Sequence, residues 1–465
     1  RSFNFPSFEE AFPPPDWWVE LNKTTPDKYP IFKLSQNYPR TEPLKECPKT
    51  ECKWKNFNFK TESQKYLTEV LKYAFQGNLE TDWRVAENPS TNWFHAPWMH
   101  ASSEKSLKEE KPDGREFVHG LTRERHLCNA ELRGETRTPC PKPDRPIENW
   151  AVSLYNGRGA YFIGKIWEIL LNKPDANDFP SGGFPEGTVA VKLLFTQAGT
   201  ENADFLENSI EWQVDNKRVF KTKKTAAECV SPLGVSRSCL DVVRLLQVDV
   251  AVRDDHAQTG WVFGTFVYHK QAPPIFEYDF TGASADALTE LEKENLRRWL
   301  KLDFVGLMYG NDPTTAINHD DEQSFGKALT ESVINKNTLS KQHLGCGGRL
   351  NGVVDNPHSS CLSCHAFAEM RKDFRMISDV EVNCVETARE RLFRNINPRS
   401  PEPASRTFSP NSPEPVVSLD FSLQLREGID RYCKNYPSGC GLMNKRNTKF
   451  SATREGKEIV KAKRL

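Results

Sequence analysis

The sequence predicts an α+β protein: an antiparallel β-sheet core with peripheral helices and long Pro-rich extended segments. Three observations predict it. From residue 149 onward, runs rich in Val, Phe, Trp and Leu are set off by clusters of Gly, Pro, Asp and Asn. Two other stretches carry apolar residues at helical spacing. Finally, 31 Pro and a mean hydropathy of −0.65 describe a polar chain with much surface around a modest core. At 465 residues the chain is long enough for two or three units. Composition divides it at 1–145, 146–395 and 396–465.

Residues 1 to about 60 read as an extended arm that wraps the main body or a neighbour. Phe12, Trp17, Trp18 and Trp54 argue for its burial rather than for a disordered tail. A helix follows, with Tyr66, Leu67, Val70, Leu71, Ala74 and Phe75 on one face and Gly77 as its stop signal. Residues 101–115 read as a charged solvent loop.

The runs NWAVSLYN, AYFIGKIWE, GTVAVKLLF, VVRLLQVDVAV and TGWVFGTFVYH then read as strands. In the fourth, Val242, Arg244, Leu246, Val248 and Val250 make one nearly apolar face. Val243, Leu245, Gln247, Asp249 and Ala251 make a mixed one, which predicts a central strand. Residues 283–301 predict a helix with Leu288, Leu291, Leu296, Trp299 and Leu300 on its apolar side. Residues 397–415 are a Pro-rich linker, after which VVSLDFSLQL reads as a strand and REGIDRYCKNY as a short helix. The stretch 445–465 carries eight Lys or Arg against two Glu, a solvated tail or a dock for an acidic partner.

Lys plus Arg and Asp plus Glu are both 63, so no global basic field draws nucleic acid or anionic membrane. No apolar run approaches the ~18 residues of a spanning helix. Neither G-x-S-x-G nor H-E-x-x-H occurs, which leaves a classical hydrolase without support.

Twelve cysteines speak to the compartment. Ten fall into pairs: Cys47/Cys52, Cys128/Cys140, Cys229/Cys239, Cys433/Cys440, and Cys346/Cys384, which brackets the remaining two. An even set in close pairs reads as disulfides in an oxidising compartment, periplasmic or secreted. The alternatives are reduced cysteines scattered in a cytosolic protein, or a zinc site that lacks a second C-x-x-C. The chain opens at Arg1 with no charged-then-apolar leader; a removed signal peptide would explain this, as would trimming.

The remaining two lie in Cys361-Leu362-Ser363-Cys364-His365, the C-x-x-C-H pattern to which haem c is attached. Twelve Cys and 10 His scattered at random would give about 0.007 such matches. Thiols three positions apart share one side of a helical turn, and each can add to one haem vinyl group. His365 then lies beneath the iron as its ligand. A redox C-x-x-C would need a βαβ context, which this region lacks. CHAFAEMRKDF has no Pro or Gly, so the helix is expected to run on and to carry Met370 with it. A sixth iron ligand is not specified. Met376, Met443, Met99, His95, His100, His119, His269, His343 and His358 are candidates, each more simply read as a surface or hydrogen-bonded residue. Phe195, Trp261, Phe263 and Phe266 are suited to walling an apolar pocket for a small diatomic ligand.

FPEGTVAVKLLF (184–195), GWVFGTFVY (260–268) and CLSCH (361–365), in that order, resemble the cytochrome P460 and cytochrome c′-β family. The resemblance covers about 180–365 and implies an antiparallel-sheet haem pocket with an open or weakly occupied distal side. It also implies nitric oxide binding or hydroxylamine oxidation. Members of the P460 type cross-link a lysine to the haem. Lys192 lies in the matching strand, where a buried or sheet-edge lysine is the simpler reading. The first 150 and last 70 residues have no counterpart in that family.

Two functions are therefore expected to compete. One is an extracytoplasmic monohaem cytochrome with a redox partner protein or a nitrogen-oxide ligand. The other is an accessory subunit of a larger assembly, whose arms wrap partners and whose haem is a relay.

Overall fold

The strand signals from residue 149 onward produce most of a nine-stranded antiparallel sheet. In the computed structural model, the described residues are 14, 16–90, 92–102, 114–134, 146–171, 183–216, 240–278, 288–315, 329–340, 344–370, 393–395 and 417–435. The sheet strands are β1 (Trp93–Phe94), β2 (Thr122–Arg123), β3 (Asn149–Asn156), β4 (Val189–Thr196), β5 (Glu211–Asp215), β6 (Leu240–Arg253), β7 (Trp261–Tyr268), β8 (Leu302–Met308) and β9 (Ser332–Ile334). Their order is β1-β3-β4-β6-β7-β8-β9, with β2 beside β3 and β5 beside β6. As expected, β6 is central, flanked by β4 and β7.

One bulge decides which β6 side chains share a face. Leu194 pairs with Gln247 but Phe195 pairs with Leu245, so Leu246 is the extra residue. The alternation therefore changes phase, and Val243 and Leu245 join Val248, Val250 and Val252 on one buried face. Helix α2 (Ser63–Phe75) covers that face. Its Tyr66, Leu67, Val70, Leu71, Ala74 and Phe75 are all fully buried, as the 3.6 periodicity required. At ~1.5–3 kcal/mol per large apolar side chain, this burial is what holds α2 to the sheet. Gly264 of β7 admits the helix: a Cβ there would lie 2.2 Å from Leu67 Cδ1.

The opposite face carries a polar row. Ser153, Lys192, Asp249 and Thr265 are cross-strand neighbours on β3, β4, β6 and β7. Beside it runs Tyr155, Ala190, Ala251 and Phe263. Ala190 and Ala251 are only partly buried, so this face is less closely covered than the other.

Several expectations are corrected by the structure. AYFIGKIWE is helical, within Gly157–Leu171, because Ala160, Ile163, Ile166 and Trp167 fall on one helical face and are all buried. The arm is not extended throughout: Asp16–Thr24 is a helix, α1. It buries Trp17 and Trp18 with Phe117 and Val118 in a small cluster of their own. Trp54 joins the main core, and Phe12 lies outside the described residues. The helix expected over 283–301 is Glu290–Trp299 within the described residues, begun by a Thr289/Glu292 capping box. Its Leu296 and Trp299 are buried, but Leu291 is 73% exposed. The strand expected in VVSLDFSLQL is confined to Val417–Ser418; the helix Leu423–Asn435 begins where Ser422 Oγ accepts Leu425 N–H. This last helix packs Leu425, Ile429, Tyr432 and Cys433 into the same core as the sheet. The charged loop, the linker and the basic tail fall largely or wholly outside the described residues.

Candidate cofactor-attachment site

Cys361, Cys364 and His365 occupy a five-residue helix, α3 (Cys361–His365). Ser360 starts it with a reciprocal cap: its Oγ accepts Ser363 N–H (3.1 Å) and Ser363 Oγ accepts Ser360 N–H (2.8 Å). Ser360 Oγ also donates to Asn311 Oδ1 at 2.8 Å. The fully buried Arg349 fixes the preceding loop, donating from Nε to Asn311 O, from Nη2 to Asp312 O and from Nη1 to Cys346 O. Gly347 and Gly348 both have positive φ there, which explains the Gly-Gly pair after Cys346.

The helix does not run on as expected. It ends at His365, and Glu369–Met370 pairs as a short strand with Val417–Ser418. Met370 is thus in a strand, not on a proximal helix. The reason lies in the segment 419–422, which the sequence reading placed outside the haem unit. Leu419 N–H donates to Ala368 O (2.8 Å), drawing the chain out of helical register. Asp420 and Phe421 both adopt left-handed conformations, with φ of 47° and 65°. Asp420 sustains that turn from a buried position: Oδ2 accepts Phe184 N–H (2.6 Å) and Oδ1 accepts Trp261 Nε1–H (2.8 Å). The turn aims Phe421 O at His365 Nδ1, 2.8 Å away. With a proton on Nδ1, Nε2 is left with the lone pair that a metal would take.

The sulfurs differ from their neighbours in redox state. Cys361 and Cys364 are free thiols, while Cys47 and Cys52 form a disulfide and Cys346 and Cys433 are each disulfide-bonded. Cys128 corrects the expected Cys128–Cys140 pair: it is a buried free thiol donating to Glu131 Oε2 at 3.5 Å. Cys140, Cys229, Cys239, Cys384 and Cys440 lie outside the described residues.

On the sheet beneath α3, Thr265 Oγ1 lies 4.0 Å from Cys361 Sγ and donates to Asp249 Oδ1 at 2.9 Å. Phe263 packs against the His365 ring at 4.8 Å between centroids. Lys192 sits mid-sheet, half-buried, with Nζ 3.2 Å from Glu124 Oε1. Burial works against its charge, but Glu124, Asp355 and Asp249 together hold its ammonium above the ordinary lysine range. Burial, and then the Asp355 charge, raise Asp249. Burial pushes Cys364 up to about 11 and His365 down to about 4, with Lys192 adding to the histidine's fall. The ring is therefore neutral at pH 7, the form that ligates metal.

These residues fit a covalently held haem by their donor chemistry. Two thiols free of disulfides flank a turn, an imidazole has its Nδ1 occupied, and Ala190 and Ala251 keep the adjoining face partly open. Of the four aromatic residues expected to wall a pocket, Trp261 and Phe263 are on this face. Phe195 stacks on Trp212 and Phe266 packs on Phe304, both on the face that α2 covers.

The candidates for a sixth ligand are mostly engaged elsewhere. His95 Nδ1 accepts Ser35 N–H, His119 stacks on Trp212 with Nδ1 2.8 Å from Gln213 O, and His269 stacks on Phe205. His100 is buried with its ring stacked near Trp98, and Met99 and His358 are half-buried. Met376, Met443 and His343 lie outside the described residues. The sequence reading missed Asp249, Thr265, Asp355, Asp420 and the Phe421 carbonyl, of which only the acidic residue in an apolar strand, Asp249, left any trace there. No family model, no curated protein and no solved structure matches this chain.

Proposed function

We propose that the chain is an extracytoplasmic monohaem c-type cytochrome acting in redox chemistry, either transferring electrons to a partner protein or binding a small nitrogen-oxide or diatomic ligand. The observation that carries the reading is the pairing of two free thiols at Cys361 and Cys364 with a His365 ring whose Nδ1 is held by Phe421 O. Cys361 and Cys364 would hold the haem as thioethers, and His365 Nε2 would ligate its iron. The haem would supply a one-electron couple and a coordination position. The protein's part is orientation: Phe421 O fixes the tautomer, Phe263 supports the ring, and Thr265 and the Ser360 cap hold the sulfur-bearing turn. The disulfides at Cys47, Cys52, Cys346 and Cys433 support an oxidising compartment. No helix among the described residues is long and apolar enough to cross a membrane.

Ligand chemistry is favoured over pure electron transfer because Ala190 and Ala251 leave the sheet beside Phe263 partly exposed. A reduced spectrum with and without carbon monoxide tests this. A shift on adding the gas supports an open iron; an unchanged low-spin spectrum assigns a sixth protein ligand and a relay role, the one a subunit of a larger assembly would also have.

A further inference from the structure

Arg115 is 1% exposed, yet its guanidinium makes one hydrogen bond among the described residues, from Nη1 to Gly120 O at 2.7 Å. Its Nε–H is buried and unpartnered. Among the described residues no carboxylate stands at ion-pair distance: the neighbouring Glu116 instead accepts N–H groups from Val118, His119 and Leu121. The Phe32 ring lies 5.9 Å from the guanidinium carbon and offers no counter-charge. Burial, and then the charge of a second cation, Arg431, lower Arg115 to about 10, against smaller opposing influences from Tyr38 and Glu116.

Tyr38 lies close by, facing both Arg115 and Gln36. Its hydroxyl donates to His95 O, and its oxygen is the acceptor toward which the Gln36 amide is directed. The Arg115 Nε–H is therefore a buried, charged donor with no acceptor among the described residues.

An unpaired buried charge costs several kcal/mol, so proteins pair it or leave it out. Water could satisfy a donor but would not neutralise the guanidinium. With Nη1 committed to Gly120, the edge of Arg115 bearing Nε is the one left, and that edge matches two oxygens of a planar anion. We infer that Arg115 holds one small planar oxyanion of the nitrate, nitrite or carboxylate class in the protein interior. The inference does not depend on a haem.

The test uses the full chain in chloride buffer. Calorimetric titration with sodium nitrate and with sodium formate, at matched ionic strength, should give saturable one-to-one uptake. Where the anion co-purifies, ion chromatography after denaturation should instead release one equivalent. Arg115→Met should abolish either signal. Should that variant not fold, Arg115→Lys keeps the charge but loses the edge. It should weaken binding about tenfold, as expected for one charge-assisted hydrogen bond. Neither uptake nor release by the native protein, or binding unchanged in Arg115→Lys, overturns the site.

Discussion

Replacing Asp420 tests how the His365 carbonyl partner is held. The carboxylate is 1% exposed and accepts two hydrogen bonds, from Phe184 N and Trp261 Nε1, both buried. Asp420→Ala strips both donors of their acceptor, at ~1.5–3 kcal/mol each for bonds to a charged group. Alanine at a φ of 47° adds ~1–2 kcal/mol. The expected loss is about 4–8 kcal/mol. Asp420→Asn retains one acceptor and tolerates the left-handed backbone, so it should lose only about 2 kcal/mol. Urea titration followed by tryptophan fluorescence reads both. An alanine variant within about 1 kcal/mol of the native protein would refute the claim that this carboxylate holds the turn.

Two further outcomes follow from the packing and the charges. Gly264→Ala pushes a Cβ into Leu67, which is fully buried and has no room to yield, and should cost ~1–3 kcal/mol. In a double-mutant cycle with Leu67→Ala the combined loss should fall short of the sum by about 1 kcal/mol or more; simple additivity would show that α2 and β7 do not meet there. Asp82, which accepts Trp212 Nε1–H, is raised by burial from 3.8 to about 6. The folded state therefore binds its proton more tightly than the unfolded chain. Its share of stability is present below about pH 4 and is lost as pH rises through about 6, up to ~3 kcal/mol in all. Asp82→Asn should gain on the native protein across that window, and a pH-independent difference between the two would contradict the assignment.

What the sequence made legible was whatever depends on neighbours along the chain. The six apolar positions of α2 sit at 3.6 spacing, and each is buried as read. The strand NWAVSLYN follows from its apolar and aromatic content between turn clusters, and the central position of β6 from its one nearly apolar face and one mixed face. AYFIGKIWE misled because a short, largely apolar run reads equally well as a strand or a buried helix; its two polar residues, Lys165 and Glu168, lie together opposite the buried helical face. The bulge at Leu246 left no signal, since no Gly or other bulge-favouring residue marks the Leu245-Leu246 pair. At the site, Cys361, Cys364 and His365 were legible because their chemistry is fixed by local spacing. Phe421 was not, because any residue offers a carbonyl and this one arrives from 56 positions away. Asp420 was hidden for a related reason: an acidic residue beside a Pro-rich linker looks like solvent-facing loop until Trp261 and Phe184 are placed against it.

The central claim is that Cys361 and Cys364 bind a haem covalently with His365 as its iron ligand. Peptide mass analysis of the protein, produced in the periplasm of a host that matures c-type cytochromes, tests it most directly. The peptide containing Cys361 to His365 should carry the mass of one haem through denaturation and acid–acetone extraction, with the increment lost in Cys361→Ala and Cys364→Ala combined. A peptide recovered with two unmodified thiols, or with a Cys361–Cys364 disulfide, would contradict it.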